Sequence, residues 1–252
     1  MGVLSGIKNA VAFLTILNVG MDKDGLVQAA KYMPVFPVIG AIIGFIAGVS
    51  VWMLEVILPR LIAGMLGLGV LLLVTGAQHT DGLLDFGDAI MFHGSREDKI
   101  RIMHDPQTGA GGLSLGLVVL TTTAIAISEV HRGIAIQTLV ASEAAAKFAL
   151  LLQAAVGRSA FTGINTVFVN SMHGRLRWVR VASAFGVLAL LSVPTLQVAG
   201  VASVIISVLT ASAMLAISNS QFGGVTGDVL GATNDVTRLI SLIGILVFSK
   251  WL

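Results

Sequence analysis

The sequence predicts an all-α, polytopic membrane helix bundle of about seven spanning helices plus an N-terminal interfacial helix, forming a single integral domain over residues 1–252. Three observations carry this prediction. Of the 252 residues, 56% are hydrophobic and 11% are charged, whereas about a quarter of a soluble domain is charged. The apolar residues fall in long runs of Leu, Ile, Val, Ala and Gly, and about 20 such residues cross a bilayer as a helix. They do not form the short alternating segments of a membrane β-barrel.

The chain opens with MGVLSGIKNAVAFLTILNVG. This stretch lacks both a basic n-region and a small-residue cleavage site, so it does not read as a cleaved signal peptide. Lys8 and Asn9 interrupt it and leave it short for a crossing, which suits a helix lying at the interface. Spanning helices are then expected at roughly 35–57, 61–79, 109–128, 133–156, 178–197, 200–218 and 236–252.

Alternating connections put the segments 20–34, 80–108, 157–177 and 219–235 on one face, and those near Arg60, Arg132 and Lys250 on the other. The first face holds Lys23, Lys31, Arg96, Lys99, Arg101, Arg158, Arg175, Arg177, Arg180 and Arg238, so the positive-inside tendency makes it cytoplasmic. A net charge of +2 gives no reason to expect a nucleic-acid partner, and the lack of cysteine excludes disulfides and thiolate metal sites. Asp81, Asp85, Asp88, Asp105, Asp228 and Asp235 fall on the same face. Carboxylates contribute little to topology, so they need another explanation.

The densest acidic segment is Gln78-His79-Thr80-Asp81-Gly82-Leu83-Leu84-Asp85-Phe86-Gly87-Asp88. In a helix Asp81, Asp85 and Asp88 fall at i, i+4 and i+7 and form one stripe. Neighbouring ionised carboxylates repel one another unless a cation compensates. Mg²⁺ suits such a stripe, because it takes hard oxygen ligands, keeps waters and is commonly completed by substrate phosphates. His79 is at most a substrate contact.

In the next segment Ser95 can cap a short helix with Asp98 at the capping-box position, and Pro106 ends it. Arg96, Lys99 and Arg101 are then available to phosphates or lipid headgroups. Asp105 stands where the chain turns back toward the membrane. The glycine-rich stretch 108–112 opens the following helix and offers backbone N–H groups to an anion. A second small, polar and acidic stretch, 223–235, contains Thr226, Gly227, Asp228 and Asn234 and can complete the site from another direction. Glu143 and Lys147 stand at i and i+4 within an expected span, where charges are expected to pair.

At these motifs the chain resembles the cobalamin synthase family, the adenosylcobinamide-GDP ribazoletransferases. Family members carry a pattern close to H-x-D-G-x-x-D-x-x-D, here His79 to Asp88. The likeness extends through Arg96, Ile102-Met103, Asp105 and Gly109, through the run Gly223 to Ala232, and early on through Phe13-Leu14-Thr15 and the stretch from Phe36 to Gly40. The chain departs from the pattern at Ile16 and Asn18, at Lys147 where an Arg is expected, at Pro106-Gln107 where Ser-Arg is usual, and at Arg238, which replaces a commonly acidic residue.

The resemblance implies transfer of adenosylcobinamide phosphate from adenosylcobinamide-GDP to α-ribazole or its 5′-phosphate, with release of GMP and dependence on Mg²⁺. It implies Asp81 and Asp85 as metal ligands, Asp88 as a third ligand or general base, and Asp105 as a further ligand. Substrate contacts are expected from His79, Gly82, Arg96, Lys99, Arg101, Asp105, Thr226, Gly227, Asp228 and Asn234. The expected location is the cell (cytoplasmic, or inner) membrane, with lipid as surroundings and glycine-rich helices that permit a homo-oligomer.

Two other readings stand beside this one. A CDP-alcohol phosphotransferase also gathers aspartates around a divalent metal, but it normally has an Ala-Arg pair two residues after its Asp-Gly. Here two leucines and Asp85 follow Asp81-Gly82. An ion-coupled transporter accounts for Glu143 and Lys147, but it calls for charge at the bilayer midplane rather than at one face.

Overall fold

A computed structural model describes residues 2–249, and these form eleven α-helices and no named strand. In chain order they are α1 (Val3–Leu14), α2 (Gly25–Lys31), α3 (Phe36–Leu54), α4 (Arg60–Thr75), α5 (Gln78–Met91) and α6 (Arg96–Met103). There follow α7 (Ala110–Glu129), α8 (Ala135–Val156), α9 (Ile164–Met172), α10 (Arg177–Gln221) and α11 (Gly227–Phe248). Among the described residues five helices are long and apolar enough to cross a bilayer, with the 45-residue α10 counted once, or six if the bent pair α4 and α5 is one broken span. The chain is an all-α membrane bundle.

The centre of the bundle is α8. Every residue from Ala141 to Leu151 is buried, and α8 packs against α3, α10 and α11. Small residues bring the backbones together: a Cβ on Gly44 would stand 2.2 Å from the Leu139 carbonyl oxygen. Such small-residue seams substitute for the hydrophobic effect, which gives no net drive between helices in lipid.

The structure corrects the sequence expectation for the spans 61–79 and 236–252, and it places a break where one was expected between 178–197 and 200–218. The expected span 61–79 stops at Thr75, where Gly76 (φ 62°) and Ala77 (φ 55°) both take the left-handed conformation. The chain restarts as α5 at 98° to α4. With 14 residues and three carboxylates, α5 is not a spanning segment in its own right.

The expected spans 178–197 and 200–218 are continuous except at Gln197 (φ 47°, ψ −121°), which breaks α10. The break sets Gly200 against the Ser192 backbone eight residues earlier, where a straight helix would hold them about 12 Å apart. The chain therefore doubles back.

The last helix starts at Gly227 rather than near 236, because Thr226 caps it by accepting the Val229 N–H at 3.0 Å. Asn234 and Asp235, expected in a connection, are thereby two turns inside a helix. The final three residues of the expected span 236–252, including Lys250, lie outside the described residues.

Contacts between connections sort the two ends of the bundle. Arg96 donates to the Ser220 carbonyl, Arg158 to that of Gly223, and Arg180 to that of Ser171. The segments 157–161 and 222–226 also exchange backbone bonds between Arg158, Ala160 and Val225. At the other end Arg60 donates to the Val130 carbonyl at 2.7 Å and Arg132 to that of Trp52 at 3.1 Å.

Candidate active site

The acidic helix α5 is held by a close crossing with α11. A Cβ on Gly82 would stand 2.9 Å from the Asp228 Cα, and one on Gly231 would stand 2.9 Å from the His79 carbonyl oxygen. Only glycines allow the two backbones this approach. It sets Asp228 of α11 beside the carboxylate stripe of α5.

Asp81 is exposed, and Asp85 and Asp228 are half-buried. The Asp85 carboxyl is pushed up to about 6, first by burial and then by the charges of Asp228, Asp81 and Asp88. Four acidic groups therefore share one field. Asp105 is not among the groups acting on Asp85, and among the described residues no three His, Asp or Glu side chains close on a common point as a full metal cage would. The expected ligand set Asp81, Asp85, Asp88 and Asp105 is thus divided. Asp105 faces Asp88 across a separate cleft of about 390 Å³ that Phe92, Ile102, Gln107 and Gly109 also line.

The Asp88 carboxylate is already engaged. One oxygen accepts the Gly109 N–H at 2.7 Å and the other accepts the Gly112 N–H at 2.8 Å. The glycine-rich opening of α7 does hold an anion, and that anion is Asp88. Gly87 and Gly112 make room for the contact, since a Cβ on Gly87 would meet the Gly112 Cα at 2.9 Å.

Among the basic residues, Ser95 and Asp98 form the expected capping box at the start of α6. Arg96 and Lys99 tie this helix to the end of α10, Lys99 through the Gln221 side chain at 2.5 Å. Among the described residues Arg101 pairs only with Asp98 one turn away, at 3.1 Å and largely exposed. An exposed pair of this kind is weak, so its guanidinium can turn to a substrate phosphate.

Thr226 and Gly227 stand at the start of α11. Thr226 is buried, and its hydroxyl also reaches the Met103 sulfur at 3.2 Å, while Gly227 is exposed beside Asp228. Asn234 is fully buried, where its oxygen accepts from Lys147 at 2.6 Å and its amide donates to Asp235 at 3.0 Å.

Asn234 belongs to a network that the sequence showed only in part. Glu143 and Lys147 pair as their spacing predicts, at 3.4 Å. Glu143 also binds Arg238, and Arg238 donates to Asp235 at 2.7 Å. Two carboxylates and two cations make this buried cluster neutral, which a low-dielectric interior demands. Its remaining contact, from the Thr80 hydroxyl to Asp235 at 2.8 Å, ties the acidic helix to the core. Asp235 and Arg238 stand at i and i+3, and that spacing is the signal that could have found them.

These features define a class, the polytopic membrane protein with an acidic site at one end of an all-α bundle. The chain belongs to the cobalamin-5-phosphate synthase family, whose family model matches residues 6–246. Three similar relatives are each named adenosylcobinamide-GDP ribazoletransferase. The one from Methanococcoides burtonii is 31% identical over 98% of this chain and 93% of its own length. That from Methanocella arvoryzae is 31% identical over 99% of this chain and 98% of its own. That from Halorubrum lacusprofundi is 31% identical over 99% of this chain and 100% of its own. No solved structure matches the chain.

Proposed function

We propose that the protein transfers the adenosylcobinamide-phosphate moiety of adenosylcobinamide-GDP to α-ribazole or α-ribazole 5′-phosphate, releasing GMP, at the late nucleotide-loop step of cobalamin biosynthesis. The observation that carries the site assignment is the meeting of Asp81, Asp85 and Asp228 at the Gly82–Gly231 crossing, in a chain of this family. A ribose hydroxyl of the acceptor attacks the phosphorus nearest the corrinoid side chain. The bond from that phosphorus to the bridging oxygen breaks, and GMP leaves with the oxygen.

Asp81 and Asp85 fit Mg²⁺, since one or two carboxylates with waters and substrate phosphates are its usual surroundings. The ion, when bound, neutralises charge that develops on the phosphoryl and bridging oxygens. Burial first, and then the charges of Asp228, Asp81 and Asp88, raise Asp85, and a cation beside these carboxylates would offset their repulsion. Asp228, beside both ligands, takes the hydroxyl proton. Asp88 acts as a positioning residue, since both of its oxygens hold the start of α7. Arg101 reaches the diphosphate. The basic connections at this end of the bundle support placing it on the cytoplasmic side of the cell membrane.

The test is conversion of adenosylcobinamide-GDP and α-ribazole, or its phosphate, by detergent-purified protein with and without Mg²⁺, following cobalamin product and GMP. Magnesium-dependent release of both is expected. A folded, magnesium-loaded sample that forms neither overturns the reading.

A further inference from the structure

Two clefts away from the carboxylates are built on the same pair of chain segments. One, of about 540 Å³, is lined by Lys31 and Tyr32 at the end of α2, by Asn170 and Ser171 of α9, and by Arg180 in the first turn of α10. The other, of about 520 Å³, is walled by apolar side chains throughout, among them Val38, Ile42 and Phe45 of α3 and Val187, Leu190 and Leu191 of α10. Both lie within the range of small-molecule sites, about 300–1,000 Å³.

Helix geometry places the apolar cleft beneath the basic one. On α10, Arg180, Val187 and Leu191 stand at i, i+7 and i+11 and so share a face. Tyr32 leads through the single turn Met33–Val35 into α3, where Val38, Ile42 and Phe45 share a face in the same way. The start of α10 packs against that turn and against α3. Seven residues from Arg180 to Val187 rise about 10 Å.

The basic cleft lacks a counter-charge. No carboxylate lines it, and among the described residues neither Lys31 nor Arg180 has an ion pair. Arg180 donates to the Ser171 carbonyl, which engages one of the five guanidinium donors. Its level is the membrane surface: Leu176 and Trp178 are exposed at the start of the apolar α10, and the Arg177 guanidinium lies 5.7 Å from the Trp178 ring centroid. Aromatic and basic side chains gather in this way at the headgroup layer.

We propose that the two clefts together seat one phospholipid with an anionic headgroup, its phosphate between Lys31 and Arg180 and an acyl chain along Ile42, Phe45 and Leu190. The interfacial layer of each leaflet is about 5–8 Å thick, so a phosphate held by the Arg180 side chain brings the chains of the same molecule to the level of Val187. A zwitterionic headgroup fits less well, because its own ammonium would face two cations. The lipid would join α2, α9 and α10 at a point where their charges are otherwise unmatched.

The test uses the full chain purified in detergent. Phosphatidylglycerol and phosphatidylcholine are titrated separately, and binding is followed by the thermal midpoint and by the lipid retained in native mass spectrometry. Wild-type protein is expected to retain one phosphatidylglycerol and to gain stability from it, as from any ligand of the folded state, and to bind phosphatidylcholine about tenfold more weakly. Lys31→Glu, at an exposed position, should weaken phosphatidylglycerol binding about tenfold. Leu190→Trp, exposed in the apolar cleft, should do the same by filling the chain seat. Lys23→Glu, the same charge change at an exposed residue outside both clefts, should bind as wild type does.

Equal binding of the two lipids by wild type, or a Lys31→Glu protein that matches Lys23→Glu, means an unselective lipid annulus and overturns the proposal. Wild-type affinity in Leu190→Trp, or stabilisation by inorganic phosphate equal to that by phosphatidylglycerol, assigns the two cations to a soluble anion and overturns it as well.

Discussion

Gly82 lies directly on the backbone of Asp228, so that a Cβ at Gly82 would come within 2.9 Å of the Asp228 Cα and 3.0 Å of its carbonyl oxygen. These are backbone atoms and cannot swing aside. Gly82→Val must therefore push α5 and α11 apart, at a cost of about 1–3 kcal/mol for an overpacked contact. A displacement of about 1 Å between reacting groups can cost on the order of a hundredfold in rate. The expected result is a lowered thermal midpoint with a larger fall in kcat, and a variant with wild-type kcat would contradict the crossing as the organiser of the site.

Asp81→Asn and Asp85→Asn are expected to reduce turnover by more than about a hundredfold, because each removes a charge facing the transferring phosphoryl group. Stability should respond in a pH-dependent way. The folded-state pKa of Asp85 is raised to about 6 from 3.8, so its protonated form favours the fold and its contribution is lost as pH rises from about 4 through about 6. Ionised Asp85 is also the form that binds a divalent cation. Added Mg²⁺ should therefore raise the thermal midpoint more at pH 7.5 than at pH 5, and this difference should vanish in Asp85→Asn. Equal stabilisation at both pH values would remove Asp85 from the ligand set.

Asp88 should behave differently from its two neighbours. Asp88→Ala frees the N–H groups of Gly109 and Gly112 and should cost about 1 kcal/mol, as loss of a helix cap does. Asp88→Asn keeps one acceptor oxygen and should retain most of the stability, with a smaller loss of kcat than Asp81→Asn shows. If Asp88→Asn is as stable as wild type and wholly inactive, Asp88 acts on the reacting atoms instead.

The neutral cluster in the core makes a prediction of its own. Arg238→Met leaves Glu143 and Asp235 with only Lys147 to balance them, and a broken buried pair costs about 3–5 kcal/mol. Arg238→Lys keeps the charge and should lose less. Denaturation midpoints in a fixed detergent measure both, and near-equal midpoints for Met and wild type would show that the cluster is not coupled as drawn.

Much of the molecule was legible in its sequence because it depends on local spacing. The i, i+4, i+7 aspartates make one stripe in any helix, and the Ser95–Asp98 box and the Glu143–Lys147 pair are also neighbours on their own helices. The break before α5 was less legible. Gly76 reads as one more small residue in an apolar run, and alanine has no preference for the left-handed conformation that Ala77 adopts. The extent of α11 was similarly hidden, since its polar first two turns look like a connection until Thr226 is seen to cap them.

The sequence by itself determined the solvent of this protein, its helical class and the gathering of its carboxylates in a few segments, because hydrophobic run length and residue type are properties of the chain alone. Only the tertiary structure decided which carboxylates meet. Asp228 joins Asp81 and Asp85 because two glycines let α5 and α11 touch. Asp88 is drawn to the start of α7, and Arg238 is committed to Glu143 and Asp235. Apart from Asp235, which shares a helix with Arg238, each of these partners lies more than twenty residues away or on another helix, and the low-dielectric interior requires every buried charge to find one.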